Sequence, residues 1–154
     1  MITIRPLASS DTARWVAQRC DLWPDEDPTD LLVDARRFFA GEDELLEAVL
    51  VAQHSTDGVV GFVELSRRPY AEGCTTSPVA FLEAWYVAPG HRREGIGGAL
   101  VAAAEGWARA RGCREFASDA LVGNEASALA HRALGFEEVE VIRCFRKELG
   151  AGNG

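Results

Sequence analysis

The alternation of apolar and polar residues predicts a strand followed by two helices in the first third of the chain. Residues 2–5 alternate and predict a short strand. The N-capping residues 9–11 open a helix that runs to about Leu22 and ends before Pro24. A second helix follows Pro28, with its apolar residues on one side and acidic residues on the other.

The remainder of the chain predicts more strands than helices. A hairpin turn at residues 55–58 joins two of the predicted strands. The predicted elements are strands at about 46–53, 59–67 and 79–87, a helix from Ile96 that ends at Gly112, a strand at 115–119, a helix at about 125–134, and a closing strand or hairpin at 136–146. This order predicts an α+β fold with one right-handed crossover.

Length and composition predict one domain. With 154 residues, 47% of them hydrophobic, the chain can form a single core. We expect a domain over residues 1–149 and a flexible tail over 150–154. No signal peptide and no membrane-length apolar run is evident. The four cysteines lack a CxxC pair and a histidine at metal spacing, so we expect reduced thiols, no metal and a cytoplasmic location.

The net charge of −8 is concentrated in one segment. Residues 21–47, the acidic segment, hold ten acidic and two basic residues, and the rest of the chain is balanced. The acidic balance argues against a nucleic-acid binder, which needs a basic face. The acidic segment either attracts cations or is a solvated pair of helices.

A basic, glycine-rich turn at residues 90–98 follows the most hydrophobic predicted strand and precedes a helix. Backbone N–H groups at a helix N-terminus bind anions, and glycines let phosphate oxygens come close. The turn lacks the Lys-Ser/Thr of a P-loop, and Leu100 stands where a dinucleotide fingerprint needs a third small residue. An ordinary helix start with two exposed arginines is the alternative.

The motif Arg92-x-x-Gly95-x-Gly97, which follows a strand ending in Tyr-Val-x-Pro, resembles the pyrophosphate-binding motif of the GNAT acyltransferases. Asn124 and the later Ala-Leu-Gly-Phe at 133–136 are similar to the same superfamily. The resemblance implies acetyl-CoA as donor and a single mixed, mostly antiparallel sheet of six to seven strands flanked by about four helices. It implies cofactor contacts at Tyr86, Val87, Ala88, Arg92, Arg93, Glu94, Gly95, Ile96, Gly97, Gly98 and Asn124.

A narrower resemblance is to the aminoglycoside 6′-N-acetyltransferases. It is carried by Leu-Trp-Pro at 22–24, the loop arginines with Tyr70, and the segments 77–83, 116–119 and 131–138. It implies a polycationic small-molecule acceptor, no nucleic-acid or membrane partner, and a homodimer in which edge strands near the C-terminus pair between subunits. The acceptor contacts that it implies are Trp23, Tyr70, Glu83, Ala84, Asp119 and Glu140.

Glu83 is the candidate catalytic residue. On a regular strand it shares one face with Val79, Phe81, Trp85 and Val87, and a carboxylate among such groups is costly unless it is paired or protonated. It either forms a salt bridge with an arginine on a neighbouring strand or lines a cleft, where it contacts an ammonium group or removes its proton. The resemblance implies the second role.

Other candidates have equally ordinary explanations. Asp119 ends a strand, where open sheets place ligand groups, but it also fits an Asx turn. Glu140 fits solvated alternation, and Trp23 fits a helix core stripe. His131 stands where many GNAT enzymes place a tyrosine as general acid, or it is a helix-surface residue.

Three functions are therefore open. The first is acetyl transfer to the 6′-amine of an aminoglycoside, in antibiotic resistance. The second is acetylation of another amine, such as a polyamine, an amino acid or a protein N-terminus. The third is a non-catalytic CoA-binding or interaction domain.

Overall fold

A computed structural model describes residues 1–152, and Asn153 and Gly154 of the expected tail lie outside the described residues. Two short 3-10 turns, Ser9–Asp11 and Pro89–His91, accompany the main elements. The strands are β1 (Ile2–Pro6), β2 (Ala48–His54), β3 (Gly58–Arg68), β4 (Val79–Val87) and β5 (Phe116–Ser118), and the helices are α1 (Thr12–Leu22), α2 (Pro28–Phe39), α3 (Ile96–Ala110) and α4 (Glu125–Ala133).

The chain divides into two compact units, one from Met1 to Asp119 and one beginning at Ala120. The first unit holds a five-stranded sheet in the order β1-β2-β3-β4-β5. Its neighbours are antiparallel except β4 and β5, which are parallel. The mixed, mostly antiparallel sheet and the four helices are confirmed. The expectation of six to seven strands was wrong, because the described residues form a sheet of five.

The predicted closing strand at 136–146 is the source of this difference. The second unit contains α4, and residues 136–152 have no regular secondary structure. Val139, Val141 and Phe145 are 59%, 63% and 91% exposed. Alternating apolar and polar residues allow a segment to lie in a sheet with one face buried. The segment forms a strand only when the edge of a neighbouring strand pairs with it through hydrogen bonds. The sequence pattern carries no information about that edge.

The sheet of the first unit is covered on both faces. Trp15 of α1 and Ala35 of α2 are fully buried against β-strand residues such as Val51 and Phe62. On the opposite face, Ala108 of α3 packs with Ala80 and Cys113. Asp27 caps α2 by accepting a hydrogen bond from Thr29 N–H at 2.8 Å, and Pro28 occupies the first turn.

A β-bulge interrupts β4 at Glu83. Glu64 pairs with Ala84 and Leu65 pairs with Leu82, so Glu83 has no partner in the register. An extra residue reverses the side-chain alternation beyond it. Ala80 therefore faces α3 before the bulge, and Trp85 contacts α3 at Gly97 after it. The expectation that Glu83, Trp85 and Val87 share a face was wrong, because it assumed a regular strand.

Two further sequence expectations concern the whole chain. Within residues 1–152, no helix is long and apolar enough to cross a membrane. All four cysteines are free thiols, as predicted.

An ion pair anchors β1 to the turn before α1, and it gives a pH-dependent prediction. Arg5 donates two hydrogen bonds to Asp11 at 2.7 and 2.9 Å, and Ala8 N–H donates another at 2.8 Å. The Arg5 hydrogen bond lowers the pKa of Asp11. A carboxyl whose folded pKa is depressed stabilises the fold above its unfolded pKa of about 3.9 and loses that contribution as the pH falls through the folded value.

We therefore expect Asp11→Asn to lower Tm by roughly 2–4 °C at pH 7 and by less at pH 3. Differential scanning calorimetry at both pH values checks this. The control is Glu47→Gln, which removes the more exposed pair with Arg67 and should change Tm little at either pH. An equal Tm loss at pH 3 and pH 7 for Asp11→Asn would refute the electrostatic explanation.

Candidate functional site

The glycine-rich turn joins the end of β4 to the start of α3. Arg93 has a φ of 65° and Gly95 a φ of 79°, so both adopt the left-handed conformation just before the helix begins at Ile96. Arg92 Nε donates to the Val87 carbonyl at 2.9 Å, which holds its guanidinium beside the end of β4. N–H groups in the first turn of a helix lack intrahelical acceptors and carry partial positive charge. The turn therefore has the features of an anion site.

Gly97 has a second role that the sequence does not reveal. A Cβ atom added at Gly97 would lie 3.2 Å from the Trp85 ring. The absence of a side chain thus lets the first turn of α3 pack closely on β4. The left-handed turn, two arginines and glycine-rich helix start suit the diphosphate of a nucleotide-linked cofactor.

The edge of β4 is available for pairing with an extended ligand. β5 is parallel to β4 and pairs with it only from Ala80 to Leu82. On the other side, Ala88 N–H donates to the Val60 carbonyl at 2.8 Å. Since N–H directions alternate along an antiparallel strand, the Val87 N–H is directed away from β3. This segment, Tyr86 to Ala88, is among the cofactor contacts that the family resemblance implies.

A cavity of about 300 Å³ lies on the α1–α2 side of the sheet. Four of its lining residues are carboxylates, and they come from α2, the loop after it, β3 and β4. The lining comprises Arg19, Trp23, Asp34, Asp43, Leu45, Leu46, Glu64 and Glu83. A second cavity of about 310 Å³ shares Asp34, Asp43 and Leu45 with the first and adds Arg37, Glu42 and Glu44. The acidic segment therefore contributes to a cavity wall and is not only a solvated surface.

Both alternatives for Glu83, a salt bridge with an arginine and a place in the lining of a cleft, apply in the structure. Its carboxylate accepts hydrogen bonds from Ser66 Oγ at 2.6 Å and from Arg68 Nε and Nη2 at 2.9 and 2.8 Å. The salt bridge with an arginine on the neighbouring strand is thus confirmed, and Glu83 also lines the cavity. The Arg68 guanidinium carbon lies 3.6 Å from the centre of the Phe81 ring, which fixes the arginine over the strand.

A buried charged pair forms the floor of the cavity. Arg19 donates to both carboxylate oxygens of Glu64, at 2.9 and 3.0 Å, and Trp15 Nε1 donates at 3.0 Å. Burial raises the pKa of Glu64, and these donors oppose the rise. Sequence reasoning missed this pair. Glu64 follows the apolar run 59–63 and precedes Leu65 in β3, and a carboxylate at that place in a strand was the signal that could have found the pair.

The other predicted acceptor residues of the first unit are more dispersed. Trp23 lines the cavity and also packs partly buried against the core, so its two explanations coexist. Ala84 is buried next to Glu83. Tyr70 is 64% exposed, and Asp119 is exposed directly after β5. Neither Tyr70 nor Asp119 lines the cavity beside Glu83.

Tyr86 combines a buried ring with a polar contact. Its hydroxyl donates to Asp21 of α1 at 3.0 Å. Burial and the Asp21 carboxylate raise the pKa of the phenol. The side chain is therefore a neutral hydrogen-bond donor at physiological pH, and the backbone of Tyr86 remains the part that was expected to contact the cofactor.

Three predicted residues belong to the second unit. The Asn124 side chain caps α4 by accepting a hydrogen bond from Ser127 N–H at 3.1 Å. His131 Nδ1 lies 2.7 Å from the Ser127 carbonyl, and its ring packs edge-on against Phe136. Glu140 is exposed.

Comparison with known proteins identifies the family. The sequence model of the Acetyltransferase (GNAT) family matches residues 10–136. The chain belongs to the GNAT acetyltransferases. The resemblance drawn from Arg92, Gly95 and Gly97 is thereby confirmed, and the enzyme class is acyl transfer. The basic turn before α3 corresponds to the motif on which that resemblance rested.

Among GNAT proteins, the aminoglycoside N(6′)-acetyltransferase type 1 of Klebsiella aerogenes is 51% identical over 146 residues, which cover 95% of this chain and 96% of the relative. The corresponding enzyme of Stenotrophomonas maltophilia is 42% identical over 96% of this chain and 94% of its own length. The solved structure of AAC(6′)-Iy in complex with the bisubstrate analogue CoA-S-monomethyl-acetylneamine has a TM-score of 0.88 and 35% identity. The match covers 97% of this chain and 99% of that one.

Proposed function

We propose that the chain transfers an acetyl group from acetyl-CoA to the 6′-amine of aminoglycosides. The observation that carries this proposal is the cavity in which Asp34, Asp43 and Glu83 converge beside Trp23, above the Glu64 carboxylate that Arg19 neutralises. Carboxylates attract the ammonium groups of a polycationic sugar, and an aromatic ring packs on its apolar face. The relatives named for this activity match over nearly the whole chain.

The turn before α3 has the role of holding acetyl-CoA. Backbone N–H groups of residues 93–98 donate to phosphate oxygens, while Arg92 and Arg93 add positive charge. The edge of β4 from Tyr86 to Ala88 pairs with the pantetheine arm. Asn124 is proposed as an acetyl-CoA contact on family resemblance alone. When bound, acetyl-CoA supplies an acetyl group activated as a thioester.

Two groups on β4 act on the reacting atoms. The Val87 N–H is directed away from β3 and donates to the carbonyl oxygen as negative charge develops there. Glu83 binds the 6′-ammonium and takes its proton, directly or through water, so that the amine can attack the carbonyl. Holding both substrates in one site supplies much of the acceleration. Arg68 positions the Glu83 carboxylate through its paired hydrogen bonds.

The departing thiolate needs little help, because a thiol with a pKa near 8.5 is a good leaving group. His131 stands at the position of the tyrosine that serves as general acid in many GNAT enzymes. Tyr70, Asp119 and Glu140 are proposed as outer contacts of the acceptor.

Release of CoA thiol from acetyl-CoA tests the function. Kanamycin, spermidine and a peptide panel are compared as acceptors, and the acetylated position is read by NMR. We expect release with kanamycin and acetylation at the 6′-amine. Release with spermidine alone would make the chain a polyamine acetyltransferase, which suits the acidic cavity also. Absence of release with every amine would leave a CoA-binding module.

The acidic wall of the cavity gives a prediction about acceptor affinity. The double variant Asp34→Asn/Asp43→Asn removes two of the charges that face the cavity. We expect KM for kanamycin to rise about tenfold, with kcat nearly unchanged, and to depend less steeply on ionic strength. The Asp43→Asn change retains a side-chain oxygen to accept the hydrogen bonds that Leu45 and Leu46 N–H donate to Asp43 at 2.8 Å.

A matched control separates the cavity from the net charge of the acidic segment. Asp25→Asn/Glu26→Gln makes the same change in charge at exposed residues outside the cavity lining. Steady-state kinetics at several salt concentrations compare the two variants. Equal KM values for kanamycin in the two variants would show that overall charge causes the effect. The acidic segment would then be a solvated surface with no role in binding.

The remaining proposals concern assembly and location. We propose a single functional domain over residues 1–149 that forms a homodimer. Exposed apolar residues at 139–145 support the homodimer, since they offer an alternating segment to a strand edge of a second copy. Light scattering of the full chain and of a Val141→Glu variant tests this. The free cysteines support a cytoplasmic location.

A further inference from the structure

Three metal-binding side chains converge where the β2–β3 turn lies beside the turn before α3. His54 ends β2, Asp57 lies in the hairpin turn, and His91 lies in the 3-10 turn after β4. Their candidate ligand atoms all lie within 4.8 Å of one another. We propose that His54, Asp57 and His91 form a binding site for a divalent transition-metal ion, with Zn²⁺ as the ion that it fits best.

The spacing of the ligand atoms suits a tetrahedral ion. Asp57 Oδ2 lies 3.0 Å from His91 Nε2 and 3.8 Å from His54 Nδ1. Zinc binds nitrogen and oxygen ligands at about 2.0–2.1 Å, so neighbouring ligand atoms of a tetrahedron are about 3.4 Å apart. One distance is shorter and one is longer than this value, and the third pair of ligand atoms, on His54 and His91, lies within 4.8 Å.

The ligand types select the class of ion. Two imidazoles and one carboxylate favour zinc, copper or nickel, whereas calcium and magnesium prefer oxygen ligands. Three protein ligands leave a fourth position for water. The three ligands are separate from the residues proposed for acetyl transfer, so the ion is not a cofactor of that reaction.

Each histidine can offer a ring nitrogen to the ion by exchanging a hydrogen-bond partner that it has in the structure. Backbone N–H groups of Thr56 and Asp57 lie 3.2 Å from His54 Nδ1 and the Thr56 hydroxyl lies 3.1 Å from it, so the Nδ1 lone pair accepts hydrogen bonds that a bound ion would replace. His91 Nδ1 lies 3.4 Å from the Glu94 carboxylate. His91 Nε2 lies 3.0 Å from Asp57 Oδ2, which is a hydrogen-bond distance, so an ion bound there would replace the Nε2 proton while Nδ1 donates to Glu94. Carboxylates commonly orient metal-binding histidines in this way.

The charges around the site also favour a cation. Each ring nitrogen of His91 faces a carboxylate oxygen, and a neutral imidazole can donate to only one of them. A cation between His91 and Asp57 provides a partner for the carboxylate oxygen to which His91 does not donate. The Thr56 hydroxyl occupies Oδ1 of Asp57 at 3.0 Å and leaves Oδ2 for the ion. One positive charge opposes the ion, since Arg14 donates to the backbone carbonyl of Asp57 at 3.2 Å.

Exposure provides a path for entry. The His54 and His91 side chains are 21% and 18% exposed, while that of Asp57 is 51% exposed. The imidazoles are thus held by packing, with their rings 4.9 Å apart, and the carboxylate opens to solvent. An ion bound here would tie the hairpin turn to the segment directly before Arg92.

Cobalt substitution tests the site. The full chain, without an affinity tag, is titrated with Co²⁺, and visible absorption reports a tetrahedral complex that Zn²⁺ then displaces. We expect one ion per chain without the near-ultraviolet charge-transfer band of a thiolate. The variants His54→Gln, His91→Gln and Asp57→Asn should each weaken binding at least tenfold, and Glu94→Gln roughly tenfold.

The third histidine supplies the matched control. His131→Gln removes an imidazole of the second unit, and this variant should bind Co²⁺ as the wild type does. Near-ultraviolet circular dichroism establishes that each variant is folded. Wild-type affinity in folded His91→Gln, or a thiolate band that assigns the ion to a cysteine, would overturn the proposal. Three separate ligand variants keep the test decisive if one of them fails to fold.

Discussion

Glu83→Gln is expected to lower kcat with kanamycin by about 10² or more, while leaving the affinity for acetyl-CoA unchanged. General base catalysis contributes typically 10²–10⁴ in rate. The amide keeps the size of the side chain, and its one oxygen can still accept from Ser66 Oγ and Arg68 Nε. It loses the hydrogen bond from Arg68 Nη2 and cannot take a proton. Stopped-flow or steady-state thiol release measures kcat, and isothermal titration measures acetyl-CoA binding.

The salt bridge requires its own control, because Gln also removes a charge that faces Arg68. Arg68→Met keeps the Glu83 carboxylate and removes its charged partner. If the carboxylate takes the proton, Arg68→Met retains much more activity than Glu83→Gln. Equal losses in both variants would show that the geometry of the pair limits the rate, and unchanged turnover in Glu83→Gln would remove the residue from the base role.

The local elements of the fold were predictable because they depend on short-range patterns. Helix α1 ends at Leu22, just before Pro24, and α2 begins at Pro28 after the Asp27 cap. The hairpin turn and the long apolar strand β4 lie within a few residues of the expectation. Apolar periodicity and capping chemistry are properties of neighbouring residues, so the sequence alone carries them.

Features that depend on pairing between distant strands were not predictable. The bulge at Glu83 arises from the register between β3 and β4, and no residue type near Glu83 marks it. The segment 136–146 has the alternation of a strand, but alternation does not supply a neighbouring edge. Both errors come from treating a strand as a property of one segment.

The candidate site was predicted in part for the same reason. The turn from Arg92 to Gly97 is contiguous, and a short motif contains all of its chemistry. The cavity instead collects Arg19, Asp34, Glu64 and Glu83 from four separate elements. The acidic segment was visible as a charge excess, but which of its carboxylates face a cavity is decided by helix packing.

The buried pair of Arg19 and Glu64 gives the largest expected effect on stability. Arg19→Met leaves the Glu64 carboxylate, which is 2% exposed, without its bidentate partner. Removal of one member of a buried ion pair costs about 3–5 kcal/mol in the free energy of unfolding. Urea denaturation at pH 7 measures this loss. A loss below about 1 kcal/mol would contradict the prediction.

The free energy of unfolding of Arg19→Met should fall as the pH rises from about 4 to 7. Without Arg19, burial acts on Glu64 with less opposition, so its folded pKa rises further above the unfolded value of about 4.3. Between these two values the folded state binds more protons than the unfolded state, and stability therefore falls as the pH increases. The loss relative to the wild type should be smallest near pH 4 and largest at neutral pH.

A double variant separates the unpaired charge from the lost packing. Arg19→Met/Glu64→Leu replaces both charges with apolar groups. Trp15 Nε1 then loses its acceptor, and the Leu31 carbonyl loses the 3.4 Å hydrogen bond from Arg19. We expect the double variant to be more stable than Arg19→Met, because exchange of a whole buried pair for apolar residues is often neutral or stabilising. The difference in the free energy of unfolding between the double variant and Arg19→Met should be large at pH 7 and should disappear towards pH 4, where the Glu64 carboxyl of Arg19→Met is protonated. A double variant as unstable as the sum of the two single variants would show that the pair acts through packing alone, since independent sites are additive.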